Sequence, residues 1–263
     1  MAMLPSQTAY DRATIIFSPE GDLYQVRYAF EAVRRGWTSL GIRGKDAVVL
    51  AAEKRKLTKL LDLDSIEKIY KVDEHIGVAF AGMGSDGRVL IDQARLIAVR
   101  HRLLYGEPPT VDYVAKTISD IKQLYTQHGG VRPFGVSLIF GGVNPDGSPR
   151  LLKTDPGGQY FSYYAVVIGM GESFVNSFLE ENYRKDASFD EMVDLAIEAI
   201  FKSKVESGGE KVDPEELFKD FHDLIEIGYV KVDERVFRKM PKEEIRERID
   251  RLKDKLLSEK KTS

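Results

Sequence analysis

From residue 22 the apolar positions fall at helical spacing. Leu23, Val26, Phe30 and Val33 recur three and four residues apart and draw one stripe. Asp22 stands where an N-cap belongs, and Gln25 three residues on completes a capping-box pattern. Arg34 and Arg35 fall in the last turn, where cations meet the negative helix end. Gly36 offers a left-handed stop. The pattern predicts a helix over 22–35, entered through a Pro19-Glu20-Gly21 turn behind a short polar leader.

After Gly36 the period drops to two. Residues 38–43 and 47–52 flank Gly44-Lys45-Asp46 and read as a hairpin, with Lys54-Arg55-Lys56 as a solvated basic turn. Residues 66–72 alternate, 76–81 form an apolar run, and Asp73-Glu74-His75 joins them. Two helices follow. The first, 85–104, places Val89, Leu90, Ala94, Ile97 and Ala98 on one side. The second starts at Thr110, carries Val111, Val114, Ile118, Ile121 and Leu124, and stops at Gly129-Gly130. Strands are expected over 134–143, at Leu151-Leu152 and over 160–168, with turns at 144–148 and 155–158. Helices resume over 172–182 and from Ser188, where Glu191 makes a capping box. Residues 207–211 read as a polar surface segment and 224–232 as a late strand. Ile245, Ile249, Leu252 and Leu256 make 241–260 an amphipathic end helix.

Strands and helices therefore come in groups rather than in parallel βαβ alternation. That order predicts an α+β fold, with antiparallel sheets and helices on the outside. With 43% hydrophobic residues, 263 residues build one substantial core. Thirty-nine basic against 42 acidic residues give no electrostatic case for nucleic acid or membrane. The chain has no cysteine, hence no disulfide or thiolate metal site, and no apolar run long enough to span a bilayer. A cytoplasmic protein is expected.

Residues 82–87, Gly-Met-Gly-Ser-Asp-Gly, match a dinucleotide fingerprint between a strand and a helix. The next element is a second helix and not the returning parallel strand, so the glycines read as a tight connection. His75, His101, His128 and His222 lack metal-ligand spacing. No cofactor and no metal is expected.

Tyr10-Asp11-Arg12, Phe17-Ser18-Pro19-x-Gly21 and Leu23-x-Gln25-Val26-x-Tyr28-Ala29 together resemble the N-terminal signature of proteasome α-subunits, most closely the archaeal type. The resemblance runs over about residues 8–235 and recurs in Ser65-Ile-Glu-Lys-Ile69, Arg88-Val-Leu-Ile-Asp92, Gln127-His-Gly-Gly-Val-Arg-Pro-Phe-Gly-Val-Ser-Leu138 and Thr154-Asp-Pro-x-Gly158. Arg27 stands where the family usually has Glu, Met83 where it often has Leu, and His128 where an archaeal Tyr is common.

The resemblance implies the four-layer αββα sandwich of N-terminal-nucleophile hydrolases. It divides the chain into a mobile gate segment 1–12, one domain 13–240 and a charged end helix 241–263. It implies a non-catalytic subunit of the 20S core that forms a heptameric ring with other α subunits and stacks on β subunits. Such a ring gates unfolded protein in transit and receives the C-terminal tails of a hexameric ATPase. By resemblance Tyr10, Asp11, Arg12, Pro19 and Tyr28 hold the gate. Lys68, Gly36 and Met83 line the tail pocket between subunits, and His128, Gly129, Gly130 and Val131 narrow the channel. A Tyr hydroxyl and an Asp carboxylate can hydrogen-bond across a subunit boundary, and Pro fixes the turn that aims the leader.

Catalytic β subunits of this family free a threonine at the mature N-terminus, where its own amine, a lysine and a carboxylate activate the hydroxyl. Here Trp37 falls at about the threonine position. Thr38 is internal, and Glu53 and Lys68 match the carboxylate and the lysine. The alternative is an active threonine hydrolase released by cleavage before Thr38, which requires loss of the whole helix 22–35.

Overall fold

Two five-stranded antiparallel sheets face each other, and helices cover both outer sides. The computed structural model describes residues 15–207 and 212–258. The elements in order are α1 (Tyr24–Arg34), β1 (Ser39–Arg43), β2 (Ala47–Glu53), β3 (Ile69–Asp73), β4 (Ile76–Gly82), α2 (Gly84–Tyr105), α3 (Val111–Gln127) and β5 (Val136–Val143). Then come β6 (Pro149–Thr154), β7 (Tyr160–Ser162), β8 (Ala165–Ile168), α4 (Glu172–Asn182), α5 (Phe189–Ser207), α6 (Pro214–Asp220), β9 (Ile225–Lys231), β10 (Phe237–Lys239), α7 (Lys242–Arg251) and α8 (Lys253–Ser258). One sheet runs β10-β9-β2-β1-β8 and the other β3-β4-β5-β6-β7.

Three apolar layers hold the stack together. Leu90, Ala94, Val114 and Ile118 of α2 and α3 pack on Val78, Phe80, Leu138 and Phe140 of the second sheet. Val48, Leu50 and Ala52 meet Ile69, Ile139 and Leu151 between the sheets. Ala47, Val49 and Ala51 meet Val193, Ile197 and Ile200 of α5 on the far side. Successive β2 side chains thus enter different layers, and all seven positions are buried. A sheet covered on both faces needs apolar residues at every position, so its strands read as unbroken apolar runs.

The four-layer sandwich, the hairpin 38–52 and the helix 172–182 are as the sequence indicated. So is the capping box of α5: Ser188 N donates to Glu191 Oε2 at 2.8 Å, and Glu191 N donates to Ser188 Oγ at 3.3 Å. Residues 160–168 are not one strand. β7 pairs with β6 in the second sheet and β8 with β1 in the first. The chain changes sheets between them, where Tyr163 N bonds Leu151 O and Arg43 N bonds Tyr164 O. Val89 and Leu124 lie on the exposed sides of their helices, and Ile91 takes the inward place. Lys54 is buried rather than solvated.

Near residue 213 lies α6, with Asp213 as N-cap to Glu215 N and a proline in its first turn. The amphipathic tail breaks at Leu252 into α7 and α8. Ile245, Ile249 and Leu256 are buried against the first sheet's helix layer.

Candidate functional site

The helix α1 packs against β4 and β5. Its last apolar residue, Val33, is 3% exposed and belongs to the layer between the sheets. Beside the helix is an open cleft of about 390 Å³, lined by residues that include Phe30, Arg34, Lys153 and Glu172. Lys153 and Glu172 pair there at 2.7 Å. The turn into α1 is closed by Ser18 N to Asp22 O at 2.8 Å and Gly21 N to Ser18 O at 2.9 Å. Pro19 sits second in that turn, where its fixed φ suits the geometry, and Gly21 has φ 86°.

Asp22 does not cap the helix. Leu23 holds the N-cap position without a side-chain bond, and Asp22 takes Arg27 Nη1 at 2.9 Å. Arg27 therefore has an acidic partner within its own chain. Pro19 and Tyr28 are both exposed, as are Ile15, Ile16 and Phe17, which leaves an apolar face around the start of α1. Tyr10, Asp11 and Arg12 lie outside the described residues.

Gly36 is not a left-handed stop either. Arg35 closes α1 in a right-handed conformation, and Gly36 N bonds Val33 O at 2.9 Å. Glycine is required there for space, since a Cβ would stand 2.1 Å from Gly82 N. That approach sets Gly36 against the residue before Met83, and Met83 itself is 42% exposed. Met83 Sδ lies 3.1 Å from where a Gly135 Cβ would be.

Lys68 is 4% exposed. Its ammonium sits 4.1 Å from the Phe80 ring centroid and 5.8 Å from that of Trp37, and it donates to Trp37 O at 3.5 Å. Burial pushes its pKa down to about 7, against the pull of Glu53 and Glu226. Its backbone is fixed by Glu226, which accepts Lys68 N at 2.8 Å and Ile69 N at 3.3 Å. Trp37 and Lys68 thus meet ahead of β1, and Gly36 abuts Gly82, the residue before Met83, at the end of β4.

Around the start of β1 lie the residues that match a catalytic pattern. Glu53 is fully buried and accepts Thr38 N at 3.3 Å and Lys204 Nζ at 3.2 Å, along with Arg55. Burial pushes its carboxyl up, but Lys204 and Arg55 outweigh this and hold it below the usual carboxylate range. Thr38 is wholly buried. Its hydroxyl stands 2.6 Å from Ser203 Oγ and accepts Gly171 N at 3.0 Å. Its nitrogen is a peptide amide following Trp37, so it has no lone pair available as a base. Lys204 and Ser203 escaped sequence reading because they come from α5, 151 residues from Glu53 and 165 from Thr38 respectively.

His128, Gly129, Gly130 and Val131 lie at the exposed end of α3. His128 Nδ1 is 2.8 Å from Leu124 O, and Gly130 has φ 88°. Arg132, next in the chain, forks onto Asp86 at 2.7 and 2.8 Å, and Gly135 N donates to the same carboxylate at 2.9 Å. Among the described residues no group of three or more His, Asp or Glu is placed to hold a metal. No helix among them is long and apolar enough to cross a membrane.

The described residues thus build an αββα sandwich with the helix α1 packed on it ahead of β1. Residues 33–213 match the family pattern described as proteasome subunit, and residues 10–32 match the N-terminal signature of A-type proteasome subunits. The chain is 58% identical over 258 residues to a proteasome alpha subunit from Aeropyrum pernix, covering 97% of this chain and 98% of that one. It is 52% identical over 244 residues to the proteasome alpha subunits of Sulfolobus acidocaldarius and Sulfurisphaera tokodaii, covering 93% of this chain and 97% of each. This chain belongs to the proteasome subunit family, on its α-type branch.

Proposed function

We propose that this chain is a non-catalytic α subunit of an archaeal 20S proteasome core. Seven copies form an outer ring that stacks on β subunits, admits unfolded protein to their chamber and docks the tails of a hexameric ATPase, in the cytoplasm. The observation that carries this reading is the burial of Val33. A hydrolase would need α1 cut away to free Thr38, yet α1 inserts Val33 between the two sheets. Removing it opens the core that a catalytic fold would need.

In this reading Lys68, Gly36 and Met83 receive the tail. The Lys68 ammonium pairs with its terminal carboxylate, the bare Gly36 leaves room for its backbone, and Met83 offers adaptable apolar surface. His128, Gly129, Gly130 and Val131 narrow the channel. Tyr10, Asp11, Arg12, Pro19 and Tyr28 hold the leader open, and the exposed apolar residues 15–17 offer a neighbour in the ring a surface to pack on.

Native mass and peptidase activity of the purified chain, read together, test the proposal. A mass of about seven chains or a multiple, with no cleavage of peptides until β subunits are added, is the expected result. A monomer that cleaves peptides, with Thr38 at its N-terminus, would replace it with the hydrolase reading.

A further inference from the structure

The backbone that follows residues 128–131 also touches Met83. Met83 N donates to Gly135 O at 2.9 Å. Gly82 adopts φ 113°, and a Cβ on it would stand 2.2 Å from Gly135 O. Three residues beyond Met83, Asp86 lies in the first turn of α2 and is 7% exposed. Both of its oxygens are engaged by the Arg132 guanidinium, at 2.7 and 2.8 Å, and one also accepts Gly135 N. A bidentate fork on a largely buried carboxylate fixes angle as well as distance.

On the other side of Arg132 the chain lies at the surface. Val131 and the two glycines are exposed, and Gly130 has φ 88°. The His128 ring reaches only Leu124 of its own helix, and no ion pair among the described residues involves 128–131. Ile15, the first described residue after the leader, has its Cδ1 3.9 Å from where a Gly129 Cβ would be. A single segment thus meets Met83 at Gly135, Asp86 at Arg132 and Ile15 at Gly129.

We propose that Arg132 is the positioning residue of the channel loop, and that its fork on Asp86 couples tail docking at Met83 to the width of the channel. The proposal rests on the tail-docking and channel readings above. A tail that displaces Met83 acts on the Met83–Gly135 bond and on the start of α2. Asp86 moves with α2, and the fork carries the shift to the loop. Without the fork the loop turns about Gly130 independently of the pocket. Coupling of this kind needs an element that both sites bias, and the 131–135 segment is one.

The test uses the full chain assembled with its β subunits, a short fluorogenic peptide, and a synthetic C-terminal peptide of the ATPase as probe. In Arg132→Ala the basal hydrolysis rate is expected to rise about three- to tenfold, and the tail-stimulated to basal ratio to fall towards one. The affinity for labelled tail peptide changes by less than about twofold. Arg132→Lys keeps the charge without the fork and falls between. If Arg132→Ala does not assemble, Asp86→Asn keeps the Gly135 bond and shifts the rates in the same direction. Unchanged basal rate and ratio in intact rings would overturn the proposal. So would a ratio and an affinity that fall together, since Arg132 would then only shape the pocket. A wild-type particle that ignores the tail peptide would sink the docking reading instead, while the basal rate of Arg132→Ala still tests the hold on the loop.

Discussion

The Lys68 ammonium lies 4.1 Å from the centroid of the Phe80 ring, and no carboxylate among the described residues comes within salt-bridge distance of it. Glu53 and Glu226 attract it from β2 and β9 but are taken up by other cations, Lys204 and Arg55 for the first and Lys239 for the second. Among the described residues, the three donors of this ammonium are served by one long bond to Trp37 O. Its charge is in want of an anion.

Tail docking is expected to weaken as pH rises. Lys68 has a pKa of about 7 in the free chain, and a docked carboxylate raises it. Above that value, binding must take up a proton, so affinity falls by up to about tenfold per pH unit until the pKa of the complex is reached. Fluorescence polarisation of a labelled tail peptide on assembled rings, from about pH 6 to 9, reads this directly. A flat profile would place the carboxylate on another cation, and Lys68→Ala should abolish both affinity and slope.

Lys122 gives the fold itself a pH dependence. It is wholly buried between α3 and the second sheet, and it donates to Thr154 Oγ1 at 2.8 Å and Val136 O at 3.0 Å. Burial pushes its pKa from 10.5 to about 7. Between these values the unfolded chain binds the extra proton, so this group makes stability climb with pH, by up to about 1.4 kcal/mol per unit. Lys122→Met should flatten that part of the curve. Thermal melts of both proteins at neutral and alkaline pH supply the comparison, and parallel curves would mean that Lys122 keeps its proton.

Glu53 is predicted to matter for stability and not for hydrolysis. Glu53→Gln leaves Lys204 and Arg55 without their buried countercharge, a loss of roughly 3 kcal/mol. The assembled particle should melt lower yet cleave peptides at the wild-type rate per β site. A rate that collapses while the particle stays intact would make this carboxylate catalytic.

Gly36→Ala should be among the costliest single-methyl changes in the chain. The added Cβ meets backbone at 2.1 Å, where nothing flexible can give way. A penalty of about 3 kcal/mol corresponds to a melting temperature lower by about 5–10 °C. Melting within about 2 °C of wild type would show that α1 and β4 can part at that point.

Much of the fold was legible because its signals are local. The Ser188–Glu191 box, the Thr110 cap of α3 and the apolar runs of β2, β4 and β5 announce themselves within a few residues. The failures share one cause. Asp22 looked like a cap but found Arg27, and Gly36 looked like a helix stop but answers to Gly82, 46 residues away. In both, a tertiary or neighbouring partner won over the local pattern. The 160–168 run split because its two halves pair with different sheets, and nothing in an apolar run records which neighbour it will meet.

Residue order alone carried the grouping of strands and helices, the helix ahead of the first strand, the lack of cysteine and the family signature. These follow from period, composition and residue order, which need no partner in space. The tertiary structure decided what the shared residues do. Only folding sets Lys68 under two aromatic rings and ties Glu53 to Lys204 of α5. Only folding joins Arg132 to Asp86, 46 residues before it. Charge placement depends on burial and on partners distant in sequence, and both exist only once the sheets have closed on each other.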